Sequence, residues 1–490
     1  MIKAIKINRN SWIFSWPFLF LCLILIVSFL LRIINLNYNS PFTDEAVYVV
    51  YGRLGILQGD WHMDVNNWIP GLLPFSYPVM TALAYVLGGI TTSRLLNVVF
   101  GVLTIETIYF LTIYSFSQRI RNYSFAGIIS AILISAAPIS YFVSRLATYD
   151  MPSFYFFFLC LVFLLRAQTR KNNSRIYFLA FMLFLVSIAF KIITAVYLPL
   201  VIFFAYLLAK KRSTKSLFFF KRYFLLPVTV MVIMILLSKI PSLTIYAQGQ
   251  FARESNSYME ILSNFWQNSR LMLIPWFIGS IGLLATKQVK KWLIINIFAF
   301  WILLFHLVTH RLATLDKHIF ISMAFISVLF GQGLLSLYNL IRAKNVKKTF
   351  ICISLIGLIL FGKEAYKEAQ KFNSYWDNLS ILLQFINQKS NNGDKILVEA
   401  GAAPMLETYN KNYPLNVTSY DDLLQYRNFK NEQAFAEAVK DGYFNLIQSK
   451  TGVVYSTRAE IIQNLVQEKL SDNYQLIFDQ NSYQVYQRKY

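Results

Sequence analysis

The sequence predicts a mainly α-helical membrane protein, in which a bundle of about eleven transmembrane helices precedes a small α/β domain. Three observations support this fold class. Hydrophobic residues make up 56% of the 490 residues and charged residues only 14%, whereas soluble proteins average about 25% charged residues. Apolar runs long enough to cross the roughly 30 Å of bilayer hydrocarbon recur along the chain. After residue 362 the long apolar runs give way to shorter segments of mixed composition.

The first apolar run, residues 12–34, follows a basic start that contains Lys3, Lys6 and Arg9. The run is too long for the apolar region of a cleaved signal peptide, and no small-residue cleavage site follows it. We therefore expect a retained signal anchor whose N-terminal end lies in the cytoplasm.

Ten further apolar segments are predicted to cross the membrane. The complete set of crossings is 12–34, 93–117, 123–142, 151–166, 176–190, 192–209, 222–239, 271–286, 292–308, 318–338 and 349–362. With the N-terminus inside, Lys and Arg concentrate in the cytoplasmic connections, as the positive-inside rule requires. These cytoplasmic connections therefore explain the net charge of +22, which does not indicate nucleic-acid binding. The three cysteines lie inside apolar runs and provide neither a disulfide framework nor a metal-ligand spacing.

The apolar segment at residues 72–90 is also long enough to span the bilayer. Counting it as a crossing would place the most basic connections outside. Pro70 precedes the segment, which itself carries Pro74, Pro78 and the pair Gly88 and Gly89 near its end. We expect a helix that lies at the outer interface or re-enters the membrane.

Residues 363–490 are predicted to form the α/β domain, and residues 1–362 the transmembrane domain. Segments 393–399 and 443–448 are typical of strands, segments 431–439 and 459–469 are typical of helices, and 474–487 predicts a terminal hairpin. An odd number of crossings places this domain outside the cytoplasm.

Acidic residues are scarce near the predicted membrane and collect at its outer side. Asp44 and Glu45 follow the first crossing in a long outer loop. A structural reading is a helix N-terminus, in which Thr43 or Ser40 caps the helix and the acids occupy its first turn. Asp150 lies at the outer end of the fourth crossing, where a charge near hydrocarbon favours a functional role, although it could also cap a helix.

Basic residues lie on the same predicted face. Lys191 separates two short apolar stretches and is suited either to snorkelling or to contact with an anionic head group. A late segment, Thr309 to Phe320, is predicted to be an outer loop with His310, Arg311, Asp316, Lys317 and His318. Arg and Lys suit phosphate, whereas two histidines eight residues apart on a loop do not favour a metal site.

Carboxylates with cations on one membrane face match the needs of glycosyl transfer from a phosphate-linked donor. A carboxylate deprotonates the acceptor hydroxyl, and the cations stabilise the departing phosphate.

Motifs in these segments resemble the GT-C glycosyltransferases, specifically family 39 and related enzymes that include protein O-mannosyltransferases and the aminoarabinose transferase of lipid A. The resemblance covers about residues 12–340. The matching pieces are Arg32 and Leu36 before Pro41, Asp44, Glu45, Tyr48 and Gly52, then Gly59 to Trp61, Tyr77 to Gly101, Ala137 to Pro152 and Phe190 to Leu200.

The resemblance implies a GT-C-like fold, a polyprenyl-phosphate-linked sugar donor and inverting transfer to an acceptor on the outer face. It implies that Asp44 is the base, with Glu45 beside it, and that Asp150 is a second catalytic acid. Lys191, Arg311, Lys317 and His318 become candidate contacts to the donor phosphate. No cofactor is assigned, and a divalent cation stays open because relatives differ in metal use. Protein, lipid and glycan acceptors also remain open.

Two other function classes are weighed against the enzyme. A transporter or flippase of lipid-linked sugars would place charges near the midplane of broken helices, whereas the acids here lie at outer helix ends. A non-catalytic membrane scaffold would retain the fold without the reaction.

Overall fold

The computed structural model describes residues 16–61, 76–115, 123–168, 173–237, 256–399, 401–410, 416–420, 422, 424–451 and 457–489. The chain divides into two compact units. The membrane unit comprises 1–36, 64–77 and 94–372, and the mixed unit comprises 37–63, 78–93 and 373–490. The division predicted at residue 363 follows the chain order, whereas both observed units are discontinuous in sequence.

Helices account for most of the described chain up to residue 374. In chain order they are α1 (Trp16–Ile33), α2 (Thr43–Gln58), α3 (Ser76–Ser115), α4 (Tyr123–Ala136), α5 (Pro138–Ser144), α6 (Asp150–Ala167), α7 (Ser174–Phe190), α8 (Leu198–Arg212), α9 (Thr214–Phe220), α10 (Leu226–Leu237), α11 (Tyr258–Ser269), α12 (Leu273–Ala285), α13 (Val289–Thr309), α14 (Leu315–Leu340) and α15 (Lys344–Lys371). Short 3₁₀ turns at Ile192–Tyr197, Arg270–Met272 and Phe372–Ser374 and a π turn at Lys221–Leu225 join or extend some of them.

Each predicted crossing has a helical counterpart among these elements. Nine helices in the described part of the chain are long and apolar enough to span a membrane, and the bent pair α4–α5 makes a tenth. The eleventh counterpart, α7, is apolar but shorter, at 17 residues. The predicted mainly helical membrane bundle is therefore confirmed, and the chain is a multi-pass membrane protein.

Two breaks in these helices have local causes. The helices α4 and α5 meet at 67°, and Pro138 occupies the first turn of α5, where proline is tolerated but cannot continue the preceding helix. Within α3, Gly88 and Gly89 leave helical geometry, and Gly89 has φ of 68° and ψ of −158°. Such a conformation is accessible essentially only to glycine. The predicted interfacial segment thus ends at a true backbone break.

Helix α14 is the central element of the membrane unit. Its side chains are buried from Leu315 to Ser336. A Cβ atom added at Gly333 would lie 2.2 Å from the carbonyl oxygen of Gly279 in α12, so the two backbones touch where side chains are absent. Small residues at such crossings let helices pack closely in a membrane.

The mixed unit contains the predicted α/β domain. Its remaining elements are α16 (Ser380–Lys389), β1 (Ile396–Val398), α17 (Ala402–Thr408), β2 (Val417–Ser419), β3 (Gln425–Tyr426), β4 (Phe429–Lys430), α18 (Glu432–Lys440), β5 (Leu446–Lys450), α19 (Thr457–Asn473), β6 (Tyr474–Gln480) and β7 (Tyr483–Arg488). One sheet has the order β2-β1-β5-β7-β6, with parallel pairs at β2-β1-β5 and antiparallel pairs at β5-β7-β6. Helices α18 and α19 cover its core around Phe435, Ile447 and Ile462.

The segment after the first membrane helix is bound into this mixed unit. Asn39 Nδ2 donates to the Trp376 carbonyl at 2.8 Å, and Trp376 Nε1 donates to the Ser40 carbonyl at 3.0 Å. In α2, the Arg53 guanidinium lies 3.7 Å from the centre of the Tyr409 ring. The described segment after α1 and the C-terminal region therefore belong to one folded unit.

Candidate functional site

Asp44 and Glu45 lie in the first turn of α2, within the mixed unit. Glu45 is fully buried, and its carboxylate accepts a hydrogen bond from the Phe42 N–H at 2.8 Å. Phe42 is the N-cap residue, so the expectation that Thr43 or Ser40 caps this helix is wrong. Glu45, the third residue of the helix, instead accepts the Phe42 N–H. Asp44 is only partly buried. Glu45 thus fixes the helix start that carries Asp44.

Asp150 and Lys191 form a buried ion pair in the membrane unit. The Lys191 ammonium donates to Asp150 Oδ1, and the two side chains are 4% and 1% exposed. The Thr148 hydroxyl donates to the other carboxylate oxygen at 2.8 Å. The ammonium also lies 4.9 Å from the centre of the Tyr149 ring. Two residues that the sequence singles out separately are therefore direct partners.

The turn before α6 positions Asp150 for this pair. Asn97 in α3 donates from its side-chain amide to the carbonyls of Leu146 and Thr148. Its side-chain oxygen accepts from the Tyr77 hydroxyl at 3.1 Å. Because Asn97 is fully buried, these bonds supply a donor to the Thr148 carbonyl and a second donor to the Leu146 carbonyl, which also accepts the Thr148 N–H at 2.8 Å. The sequence analysis did not identify Asn97 as part of the site.

Lys191 reaches its partner because the chain leaves α7 at this residue. Its backbone is extended, with φ of −148° and ψ of 122°, between α7 and a 3₁₀ turn at Ile192–Tyr197. In the last turn of α7, Ser187 Oγ lies 2.8 Å from the Ser153 carbonyl oxygen of α6 and 2.9 Å from Thr194 Oγ1. These contacts fix the helix break at Lys191, where α7 ends, against α6, the helix that begins at Asp150.

The segment predicted as an outer loop around residues 309–320 is mostly helical. Helix α13 ends at Thr309 and α14 begins at Leu315, so Asp316, Lys317 and His318 lie in the first turn of α14. An aspartate in a first helical turn interacts favourably with the helix dipole. Lys317 and His318 are buried, at 4% and 3% exposure, and not displayed on a loop.

The two loop histidines do not form a pair. His310 ends α13 in the left-handed conformation, with its ring centre 4.4 Å from that of Tyr258. His318 instead contacts His306 of α13, at 2.9 Å between His306 Nε2 and His318 Nδ1. The sequence analysis missed His306, although a histidine inside an apolar span is an unusual and costly choice that could have indicated it.

The structure brings four of the predicted site residues into one electrostatic cluster, namely Asp150, Lys191, Lys317 and His318. Lys191 and Lys317 both interact electrostatically with Asp150 and with His318. The partly buried Arg311 interacts with His306 at the edge of this cluster. Asp44 and Glu45 belong to the other unit.

Two buried arginines that lie in the matching motifs have a structural role in this region. Arg32 is 1% exposed and donates to Ser144 Oγ at 2.9 Å and to Ser140 Oγ at 3.0 Å. Arg94 is fully buried and donates to the Leu36 carbonyl at 2.9 Å. Hydrogen bonds to uncharged oxygens let these guanidinium groups stay in the membrane unit and hold the chain after α1.

No group of three His, Cys, Asp or Glu side chains in the described residues is arranged to hold a metal ion. Asp150 is a poor candidate ligand because an ammonium group occupies one oxygen and a hydroxyl the other. The residues here therefore do not fit a metal ion at Asp150.

The order of the elements, a helical bundle followed by a C-terminal α/β region, is the one expected for a GT-C-like fold. The family model described as dolichyl-phosphate-mannose-protein mannosyltransferase matches residues 74–240. The resemblance predicted from the motifs is therefore confirmed. A comparison with curated protein sequences finds no significant match.

Solved structures support the same fold. The crystal structure of apo ArnT from Cupriavidus metallidurans gives a TM-score of 0.62 at 14% identity, covering 98% of both chains. ArnT bound to undecaprenyl phosphate gives 0.60 at 13% identity, covering 95% of this chain and 97% of the other. The archaeal oligosaccharyltransferase AglB from Archaeoglobus fulgidus, in complex with an inhibitory peptide and a dolichol-phosphate, gives 0.57 at 12% identity, covering 98% and 75%.

Proposed function

We propose that this protein is a glycosyltransferase that moves a sugar from a polyprenyl-phosphate-linked donor to an acceptor hydroxyl on the outer face of the membrane. The observation that carries the proposal is the buried cluster of Lys191, Lys317 and Asp150 within a GT-C fold. Two similar structures contain undecaprenyl phosphate or a dolichol-phosphate, which supports this class of donor.

The cationic cluster suits a phosphate leaving group. Two buried ammonium groups, those of Lys191 and Lys317, interact with the Asp150 carboxylate. Electrostatic stabilisation of a developing anion is strongest where water is excluded. Lys191 and Lys317 would hold the donor phosphate, Arg311 would add a cation at the edge, and Asp150 would position Lys191.

Asp44 is the proposed base. The acceptor O–H proton passes to the Asp44 carboxylate while the acceptor oxygen forms a bond to the anomeric carbon. The bond between that carbon and the phosphate oxygen breaks on the opposite side, and the phosphate keeps the electron pair. The products are an inverted glycoside and a polyprenyl phosphate. Glu45 would act as a positioning residue, because its carboxylate holds the helix start.

The outer-face location is supported by the charge distribution. The connections assigned to the cytoplasm are the basic ones, which is the arrangement that the positive-inside rule predicts. In this orientation the N-terminus is cytoplasmic and the C-terminal region is extracytoplasmic. Proteins, lipids and glycans of the cell envelope all offer hydroxyl acceptors there.

The test uses the purified full chain in lipid nanodiscs with a panel of undecaprenyl-phosphate sugars that includes mannose and aminoarabinose. Release of undecaprenyl phosphate is followed by mass spectrometry. Asp44→Asn is expected to slow transfer by about 10²–10⁴-fold, the usual contribution of a general base. Asp479→Asn makes the same chemical change at an exposed position of the mixed unit and serves as the matched control.

A folded Asp44→Asn variant that transfers sugar at the wild-type rate would contradict the role of Asp44. Movement of the lipid-linked sugar between leaflets with no covalent product, in the wild type, would instead support a flippase.

A further inference from the structure

Two histidines of adjacent helices form a hydrogen-bonded chain in the membrane unit. His306 Nδ1 lies 2.7 Å from the carbonyl oxygen of Arg311, and His306 Nε2 lies 2.9 Å from His318 Nδ1. The last nitrogen of the chain, His318 Nε2, is buried and has no hydrogen-bond partner among the described residues. A buried polar atom without a partner is uncommon and asks for an explanation.

The carbonyl at one end fixes the hydrogen positions along the chain. A carbonyl oxygen only accepts, so His306 Nδ1 carries a hydrogen and donates it to Arg311. In a neutral His306 the Nε2 atom is then a bare acceptor, and His318 Nδ1 must supply the hydrogen between the rings. In a neutral His318 the remaining Nε2 atom has no hydrogen and presents a lone pair.

The surrounding charges oppose an additional proton on this pair. Lys191 and Lys317 interact with His318, and Lys191 and Arg311 interact with His306. An imidazolium ion would place another positive charge next to these cations in a buried site, which is costly. Asp316 of α14 and Asp150 of α6 are the acidic groups of the cluster, and Asp150 is already paired with Lys191.

A lone pair at His318 Nε2 does not suit a phosphate oxygen, because phosphate oxygens without a proton are also acceptors. The lysines beside it are donors that suit phosphate. The group that complements His318 Nε2 is a neutral hydroxyl, which donates one hydrogen bond. His318 Nε2 is therefore unsuited to the phosphate contact that the resemblance implies for it.

We propose that His318 Nε2 accepts a hydrogen bond from one hydroxyl of the transferred sugar, with His306 as the positioning residue that fixes its tautomer. The inference rests on the proposed glycosyltransferase activity, since it names a specificity-determining contact of the same site. In such a donor, the hydroxyl on the carbon next to the phosphate-linked carbon is the sugar hydroxyl nearest to the phosphate that the lysines would hold.

The experiment uses the undecaprenyl-phosphate sugar that supports turnover by the wild type, together with each of its single-deoxy analogues. One analogue is expected to lose about 10- to 100-fold in kcat/KM, the cost of leaving a buried acceptor unpaired. His318→Leu should lower kcat/KM for the intact donor by a similar factor and should no longer discriminate against that analogue. Its affinity for undecaprenyl phosphate, which has no sugar, should stay at the wild-type value.

Variants of His306 test the positioning role. His306→Gln retains an amide oxygen that can accept from His318 Nδ1–H and an N–H for the carbonyl, so it should keep the discrimination. His306→Leu removes both the acceptor and the N–H, and should lose the discrimination against the single-deoxy analogue.

The outcomes separate the two proposals. A folded wild type without turnover on any donor contradicts the proposed function. A wild type that is active but uses all single-deoxy donors equally well overturns the role of His318, whatever the variants do. A His318→Leu variant that loses affinity for undecaprenyl phosphate, or changes only the KM of the acceptor, overturns it as well.

Discussion

Removal of the Lys191 ammonium should destabilise the membrane unit strongly. In Lys191→Met the Asp150 carboxylate stays buried, loses its direct ion pair and keeps the Thr148 hydrogen bond and the electrostatic interaction with Lys317. An exposed ion pair contributes about 0.2–1 kcal/mol, but these side chains are only 4% and 1% exposed. The relevant figure is therefore the cost of breaking a buried pair, about 3–5 kcal/mol.

The double variant Asp150→Asn with Lys191→Met identifies the origin of that cost. It removes both charges, and the side-chain oxygen of the new asparagine can still accept from Thr148. We expect the double variant to be more stable than Lys191→Met alone, with a coupling energy of about 2–3 kcal/mol. Equilibrium unfolding in mixed micelles, followed by tryptophan fluorescence, measures the free energies of unfolding.

Two results would refute this reasoning. One is a decrease of less than about 1 kcal/mol in the unfolding free energy of Lys191→Met, which is the contribution expected of an exposed ion pair. The other is additivity, in which the decrease in unfolding free energy of the double variant equals the sum of the decreases of the two single variants. Either result would mean that Asp150 and Lys191 do not form a buried charged pair.

Three further predictions concern the surrounding structure. Asn97→Ala leaves the buried Thr148 carbonyl without its side-chain donor, while the Leu146 carbonyl keeps the Thr148 N–H, so the variant should lose about 1–3 kcal/mol of unfolding free energy. Asn97→Asp has a similar size but also lacks the amide donor, so it should not restore this stability. Glu45→Ala should cost about 0.5–2 kcal/mol, and should speed amide hydrogen exchange at Phe42, because the start of α2 loses its cap. Hydrogen bonds from Tyr483 and Lys450 lower the pKa of Asp377 below the ordinary aspartate value of about 3.9. This stabilisation is present above the ordinary pKa and is lost as pH falls through the lowered pKa, so Asp377→Asn should flatten the acid dependence of hydrogen exchange in the C-terminal sheet.

The fold class was predictable from the sequence because its signals are local. A membrane-spanning helix can be recognised from the length and composition of its apolar run, so each predicted crossing has a helical counterpart. The terminal hairpin was predicted from alternating residues around a turn, and the structure has it as β6 and β7. Strand β2 was missed because only one of its three residues is hydrophobic, whereas β1, of the same length, is Ile-Leu-Val.

The candidate site was predictable as a set of unusual residues but not as a set of partners. Asp150 and Lys191 stood out because charges are rare near apolar helices. Their pairing joins residues 41 positions apart and depends on how α6 and α7 pack. The roles of Glu45 and His318 were also hidden, because each depends on one contact, to Phe42 in the first case and to His306 in the second.

The central claim is transfer of a sugar with inversion from a polyprenyl-phosphate donor. The most direct measurement incubates the purified chain in nanodiscs with an anomerically pure undecaprenyl-phosphate sugar and a hydroxyl acceptor, and determines the product anomer by NMR. The account predicts a glycoside of the opposite anomeric configuration with one equivalent of undecaprenyl phosphate released. A product with retained configuration, or a folded chain that releases no undecaprenyl phosphate from any donor of the panel, would contradict it.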